Sequence, residues 1–182
     1  MRRFVGAGCG INSPAWHTLV MAAVLLVRHA RAGKRQDWEG DDRLRPLNAR
    51  GRAQADALGP IVARLLGTQA SPVPVLTSPW LRCIQTAEPV GVTLGSEILE
   101  VGELGEGMGE QAVKLVVGMA NMTAVCCTHG DVIEEVLARM RYEGLDLGHS
   151  PTCPKGSIWM LQSRHGVFRA ARYVAPSAGP WR

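Results

Sequence analysis

Three short apolar runs, each closed by a cation or an imidazole, constrain this chain more than any other feature. The first, Ala22-Ala23-Val24-Leu25-Leu26-Val27, ends at Arg28-His29. The second, Val73-Pro74-Val75-Leu76, runs on through Thr77-Ser78-Pro79-Trp80-Leu81 to Arg82. The third, Ala124-Val125-Cys126-Cys127, ends in Thr128-His129-Gly130-Asp131. Small and branched apolar residues without alternation mark strands buried on both faces, as in a parallel sheet covered by helices. Parallel strands bring their carboxyl ends to one sheet edge, where open α/β folds bind ligands. The three polar termini are therefore expected to converge.

Strand and helix patterns alternate along the rest of the chain. Strands are expected over 23–27, 74–76, 97–101 and 124–128. A first helix is expected over 48–66, with Asn48 as N-cap, a buried stripe of Leu58, Ile61, Val62 and Leu65, and Gly67 as its stop. A second should start at Ser78 as cap, hold Pro79 in its first turn and end near Pro89. The third, over 110–120, should bury Val113, Val116 and Val117; the fourth, over 131–143, should bury Val132, Ile133, Val136, Leu137 and Met140. The polar loop 31–47 lies at the active edge, placed to cover it, and 102–109 reads as a glycine-rich loop. Segments 157–162 and 167–174 flank Ser163-Arg164-His165-Gly166 as a hairpin. The expected fold is α/β and three-layered: a mostly parallel central sheet, helices on both faces, and a C-terminal β-hairpin. Residues 1–20 read as a leader, with Met21 as the start of a domain over 21–176 and 177–182 as a tail.

Composition narrows the function. With 182 residues, 46% apolar and 20% charged, the chain suits one globular domain. The net charge of +4 suits an anionic substrate, but no basic run is interleaved with aromatics, so no nucleic-acid surface is expected. Five cysteines, an odd count without CxxC or zinc spacing, indicate free thiols in a reducing cytoplasm. No apolar stretch reaches the length of a membrane helix.

Arginines and histidines at one sheet edge suit phosphoryl transfer, which needs charge around the phosphoryl oxygens and an in-line nucleophile. Arg28 and Arg82 each offer a planar fork of donors. His29 is the candidate nucleophile, since a neutral imidazole attacks phosphorus to give a labile phosphohistidine. His129 would donate to the same oxygens from the opposite side, with Gly130 letting the backbone approach the ligand. A leaving alkoxide needs a proton, for which Glu106 is the candidate and Glu103 and Asp131 its competitors. Two nearby arginines repel a metal ion, so none is expected, nor any cofactor. No cysteine is followed six positions later by arginine, and neither GxxxxGK[ST] nor GxSxG occurs.

Four motifs in order carry a resemblance: Leu26-Val27-Arg28-His29-Ala30; Arg45-Pro46-Leu47-Asn48 followed by Gly51-Arg52-x-Gln54-Ala55; Ser78-Pro79-Trp80-Leu81-Arg82-Cys83-Ile84-Gln85-Thr86-Ala87; and Thr128-His129-Gly130-Asp131. Together they resemble the histidine phosphatase, or phosphoglycerate mutase-like, superfamily over roughly 24–174. The resemblance implies a pocket of two arginines and two histidines, namely Arg28, His29, Arg82 and His129. Leu104-Gly105-Glu106 is similar to the proton-donor pattern of the mutase-like branch. Ala30 stands where the family usually has glycine, and Arg35, or neighbouring Lys34, where many members carry a phosphate-binding asparagine. The short segment between Arg82 and His129 resembles compact members: SixA-type phosphohistidine phosphatases and the histidine-phosphatase half of certain two-domain Nudix proteins. Without a long lid the pocket is expected to be open and shallow, which favours hydrolysis over mutase chemistry. The implied activity is a metal-independent phosphatase acting through phospho-His29 on a phosphorylated small molecule, nucleotide or phosphoprotein. Mutase-type transfer and non-catalytic phosphate binding are the alternatives.

Overall fold

A computed structural model describes residues 22–67, 72–148 and 152–176. Its elements run β1 (Ala22–Arg28), α1 (Ala49–Leu66), β2 (Val75–Thr77), α2 (Leu81–Leu94), β3 (Ile98–Glu100), α3 (Gly109–Gly118), β4 (Ala124–Thr128), α4 (Gly130–Tyr142), β5 (Ile158–Arg164) and β6 (Val167–Val174). The expected leader over 1–20, Met21 and the tail over 177–182 lie outside the described residues.

The strands form one six-stranded sheet in the order β3-β2-β4-β1-β5-β6. β3, β2, β4 and β1 are mutually parallel, whereas β5 runs antiparallel to β1, and β6 to β5. Side-chain alternation divides the core between the two faces. Val24, Leu26, Cys126, Trp159 and Leu161 pack with residues of α3 and α4. Leu25, Val27, Val125, Cys127 and Met160 pack with Leu58 and Val62 of α1 and with Cys83, Ala87 and Val90 of α2. The result is the three-layer α/β architecture, hairpin included.

Local signals set most element ends. The Asn48 side chain accepts from the Gly51 N–H at 2.8 Å, and Gly67 ends α1 at a φ of 63°. The buried set of α4 includes all five residues expected for it. His165 and Gly166, with φ of 52° and 73°, make the two-residue turn between β5 and β6.

Three expectations are corrected. Ser78 does not cap α2: the N-cap is Trp80, without a side-chain cap bond, and the Ser78 hydroxyl meets the Trp80 N–H and His129 just before the helix. α2 does not stop near Pro89 but continues to Leu94 and ends on left-handed Gly95. It packs tightly there, since a Cβ on Gly59 of α1 would lie 2.8 Å from the Pro89 carbonyl oxygen. The docking of the two helices outweighs the one backbone bond that Pro89 removes. In α3 the buried face is Ala112 and Val116, while Val117 is 43% exposed.

Strand register positions the candidate site. Arg28 pairs with Thr128 across β1 and β4. One step beyond, the His29 N–H donates to the Thr128 carbonyl at 2.9 Å, and the Ser78 N–H donates to the Cys127 carbonyl at 2.9 Å. The carboxyl ends of β1, β4 and β2 are thus sewn together, with His29, Ser78 and His129 buried just beyond them.

Candidate active site

His29 follows the last residue of β1 and is buried, with 5% of its surface exposed. Its Nδ1 lies 2.7 Å from the Ala30 carbonyl oxygen. A carbonyl only accepts, so Nδ1 carries the hydrogen and Nε2 keeps its lone pair. Burial lowers the His29 pKa from 6.5 to about 2; the Ala30 bond opposes this, and the charges of His129, Arg82 and Lys155 add to it. The ring is therefore neutral at physiological pH. The His129 ring stands 5.4 Å away, centroid to centroid, edge to face.

Arg28 directs Nη1 to the Cys153 carbonyl. A Cβ at residue 130 would lie 2.7 Å from the Arg28 Cζ, so the glycine makes room for this guanidinium rather than for a ligand directly. His129 is the N-cap residue of α4. Its Nε2 is 2.9 Å from the Ser78 Oγ, which in turn accepts from the Trp80 N–H at 3.3 Å. The serine hydrogen is thereby free to point at Nε2, which leaves the hydrogen of a neutral His129 on Nδ1.

Arg82 sits in the first turn of α2, 1% exposed, its Cζ 4.3 Å from the centre of the Trp80 ring. Two carboxylates hold it. Glu106 Oε2 accepts from Nη2 at 2.7 Å, while Asp42 contributes its carbonyl at 2.9 Å and Oδ2 at 3.2 Å to Nη1. Burial lowers the Arg82 pKa and the two acids oppose that shift. Loop 31–47, expected to cover this edge, lays Asp42 against Arg82, and the loop over 102–109 lays Glu106 beside it.

Four buried side-chain polar atoms have no hydrogen-bond partner among the described residues, and three belong to this cluster: Arg28 Nε, Arg82 Nε and His129 Nδ1. An unpaired buried donor costs about 1–3 kcal/mol. All three are nitrogen donors on arginine or histidine, the side chains that bind phosphate oxygens. No helix among the described residues is long and apolar enough to cross a membrane. No group of three or more His, Cys, Asp or Glu among them is arranged to hold a metal ion.

A model of the histidine phosphatase superfamily (branch 1) matches residues 24–114, half of the chain. The chain belongs to this superfamily. An 8-oxo-(d)GTP phosphatase of Mycolicibacterium smegmatis is 35% identical over 159 residues, which are 84% of this chain but 48% of that relative. The chain thus spans about half the length of that protein. The solved SixA structure from Agrobacterium tumefaciens shares the fold with a TM-score of 0.64 at 23% identity, covering 86% of this chain and 99% of that one. A protein histidine phosphatase SixA complexed with tungstate gives a TM-score of 0.65 at 19% identity, covering 84% and 94%.

Against this superfamily membership, the residues expected from sequence are distributed as follows. The His29 and His129 rings meet edge to face, Trp80 joins the His129 ring to Arg82, Glu106 holds Arg82, and Arg28 lies beside Gly130, the first residue of α4. Arg35 reaches only the rim, 65% exposed, touching Asp42 Oδ2 at 3.3 Å and Glu106 Oε1 at 3.8 Å. Asp131 is committed elsewhere: its Oδ2 accepts from the Gly107 N–H at 2.8 Å and fixes the loop that carries Glu106. Glu103 is exposed on a turn of 3-10 helix. Sequence reasoning missed Asp42, Ser78 as a partner of His129, and Gln54, which binds two backbones beside the site. Asp42 had a signal, an acid in the one long polar loop at the active edge. The other two had only their place in motifs.

Proposed function

We propose that this histidine phosphatase superfamily member hydrolyses a phosphomonoester or phosphohistidine through a covalent phospho-His29. The observation that carries the reading is the state of His29: neutral, with Nδ1 tied to Ala30 and Nε2 unprotonated among arginines. Arg28 and Arg82 hold the phosphoryl oxygens, and His129 donates to them from Nδ1. The Nε2 lone pair attacks phosphorus as the bond to the leaving oxygen breaks. Glu106, protonated from solvent once a ligand draws Arg82 away from it, passes that proton to the alkoxide. Water then cleaves the P–N bond, releasing inorganic phosphate and restoring the neutral ring. No metal or cofactor takes part, and the acting unit is the domain over 21–176 in a reducing cytoplasm. The relatives' names support two substrate classes, phosphohistidine proteins and nucleotides.

Rapid quench with a 32P-labelled phosphomonoester should trap an acid-labile, base-stable phosphoryl group on His29. His29→Ala should abolish turnover while vanadate still binds, more weakly. Turnover retained in that variant would remove His29 as nucleophile. Vanadate binding with neither adduct nor turnover in the wild type would leave a binding protein. Phosphate returned to product instead of released would make the protein a mutase. Glu106→Gln should impair poor leaving groups by about 10²-fold or more, and p-nitrophenyl phosphate far less. Equal losses would exclude Glu106 as the acid.

A further inference from the structure

Gln54, the glutamine of the first-helix motif, is buried in α1, yet both ends of its carboxamide are spent on backbone beside the site. Oε1 accepts from the Arg31 N–H at 3.2 Å, and Nε2 donates to the Lys155 carbonyl at 2.7 Å. One side chain thus fixes two basic residues, from loops 124 positions apart, on either side of itself. The arrangement is built tightly. A Cβ on Gly51 would overlap the Arg31 carbonyl, and one on Gly156 would overlap the Gln54 amide. The Gly156 N–H also lies 3.1 Å from the Arg28 carbonyl and 3.2 Å from that of His29. Lys155 is therefore pinned next to the candidate nucleophile.

These two basic side chains differ from the others. Asp42 and Glu106 neutralise Arg35, Arg45 and Arg82 in part. Among the described residues, neither the Arg31 guanidinium nor the Lys155 ammonium has an ion pair or hydrogen bond. Partial burial lowers the Lys155 pKa, and the charges of Arg28, Arg45, Arg82 and Arg31 lower it further. Lys155, its backbone pinned beside Arg28 and His29, has no carboxylate of its own, and an anion bound there relieves its repulsion by the arginines of this region. One phosphoryl group gripped by Arg28, Arg82 and His129 leaves the Arg31–Lys155 pair unmatched.

We infer that Arg31 and Lys155, clamped by Gln54, form a second anion subsite, and that the substrate is an organic diphosphate or triphosphate attacked at its terminal phosphoryl group. The inference rests on the phospho-His29 reading and names the substrate for the same site. His29 Nε2 bonds to the terminal phosphorus and the P–O bond to the bridging oxygen breaks. That oxygen leaves with the shortened organic phosphate, whose next phosphoryl group is held by Arg31 and Lys155. Water cleaves the P–N bond and inorganic phosphate departs. A phosphate leaving group carries its own negative charge well and needs little help from an acid, so this substrate depends less on Glu106 than an alkyl phosphate does.

The test uses the full chain and pairs of probes that differ by one phosphoryl group. Wild type should turn over adenosine 5′-diphosphate with a kcat/KM at least about tenfold above that for adenosine 5′-monophosphate. Lys155→Gln should lower the ratio of kcat/KM for the diphosphate to that for p-nitrophenyl phosphate by about tenfold, and Lys155→Arg should restore it. A ratio unchanged in Lys155→Gln, or equal rates on the two adenosine phosphates in wild type, overturns the subsite. Binding gives a readout independent of turnover: inorganic pyrophosphate should bind about tenfold tighter than orthophosphate, and Lys155→Gln should erase the difference. Equal binding of the two anions by wild type also overturns it. Failure of the phospho-His29 reading looks different, with p-nitrophenyl phosphate still turned over by His29→Ala.

Discussion

His29 shows what a single residue gives up for function. Its pKa of about 2, well below 6.5, means that the folded protein refuses a proton which the unfolded chain accepts. A group with a depressed folded pKa favours the native state fully above its unfolded pKa and progressively less as pH falls below it. Stability should therefore decline from pH 6.5 towards 5 with a contribution of about 1.4 kcal/mol per pH unit from this ring. His29→Asn should flatten that part of the profile, read as the denaturant midpoint at fixed pH values. A slope identical to wild type would mean that the ring takes up its proton without unfolding. At this scale the sequence was informative wherever a residue acts by its own chemistry. Arg28, His29, Arg82 and His129 could be singled out because their groups suit phosphate and they come after apolar runs, and Glu106 because its Leu-x-Glu setting resembles a proton-donor pattern. Asp42 and Ser78 were not, because they act by holding those groups, and an acid or a hydroxyl in a polar segment looks the same whether or not it has such a partner.

Among the elements, the loop over 31–47 departs furthest from its sequence appearance. Its sequence places it over the active edge without saying what would hold it there, and the structure supplies Asp42, which ties it to Arg35, Arg45 and Arg82. The hydrogen bond from Arg45, with help from the Arg82, Arg45 and Arg35 charges, keeps the Asp42 carboxyl below its usual 3.8 in spite of the opposing effect of burial. The anchoring is thus complete at neutral pH and fades only as pH drops beneath that value. Asp42→Asn should speed amide exchange over 33–46 by about tenfold at pH 7, with the interior of α1 unaffected. Unchanged protection would show that the 3-10 turns of the loop hold it without the acid. The same principle explains α2. Pro89 reads locally as a stop, but tertiary contact with α1 carries the helix onward to Gly95.

For the whole molecule, periodicity gave the layer plan, since strands buried on both faces leave few architectures open. Strand order was less accessible, because which strand lies between which depends on crossovers rather than on any one segment. The stability of this plan is concentrated around β1. Leu25 is fully buried against residues of α1 and α2. Leu25→Ala should cost about 3 kcal/mol, seen as a lower Tm by calorimetry, while kcat at 25 °C stays close to wild type because the reacting groups lie past the end of the strand. A loss below about 1 kcal/mol would mean that the neighbouring helices close the gap.

β5 lies next to β1, although more than a hundred residues separate them in the chain. The carbonyls of Arg28 and His29 meet Gly156, and the Arg28 guanidinium meets Cys153. A nascent polypeptide paused after α4 would already contain Arg28, His29, Arg82, Glu106 and His129, yet it would lack the backbone that meets the first two. The contacts that seat Arg28 and His29 therefore form only once translation has run past residue 156.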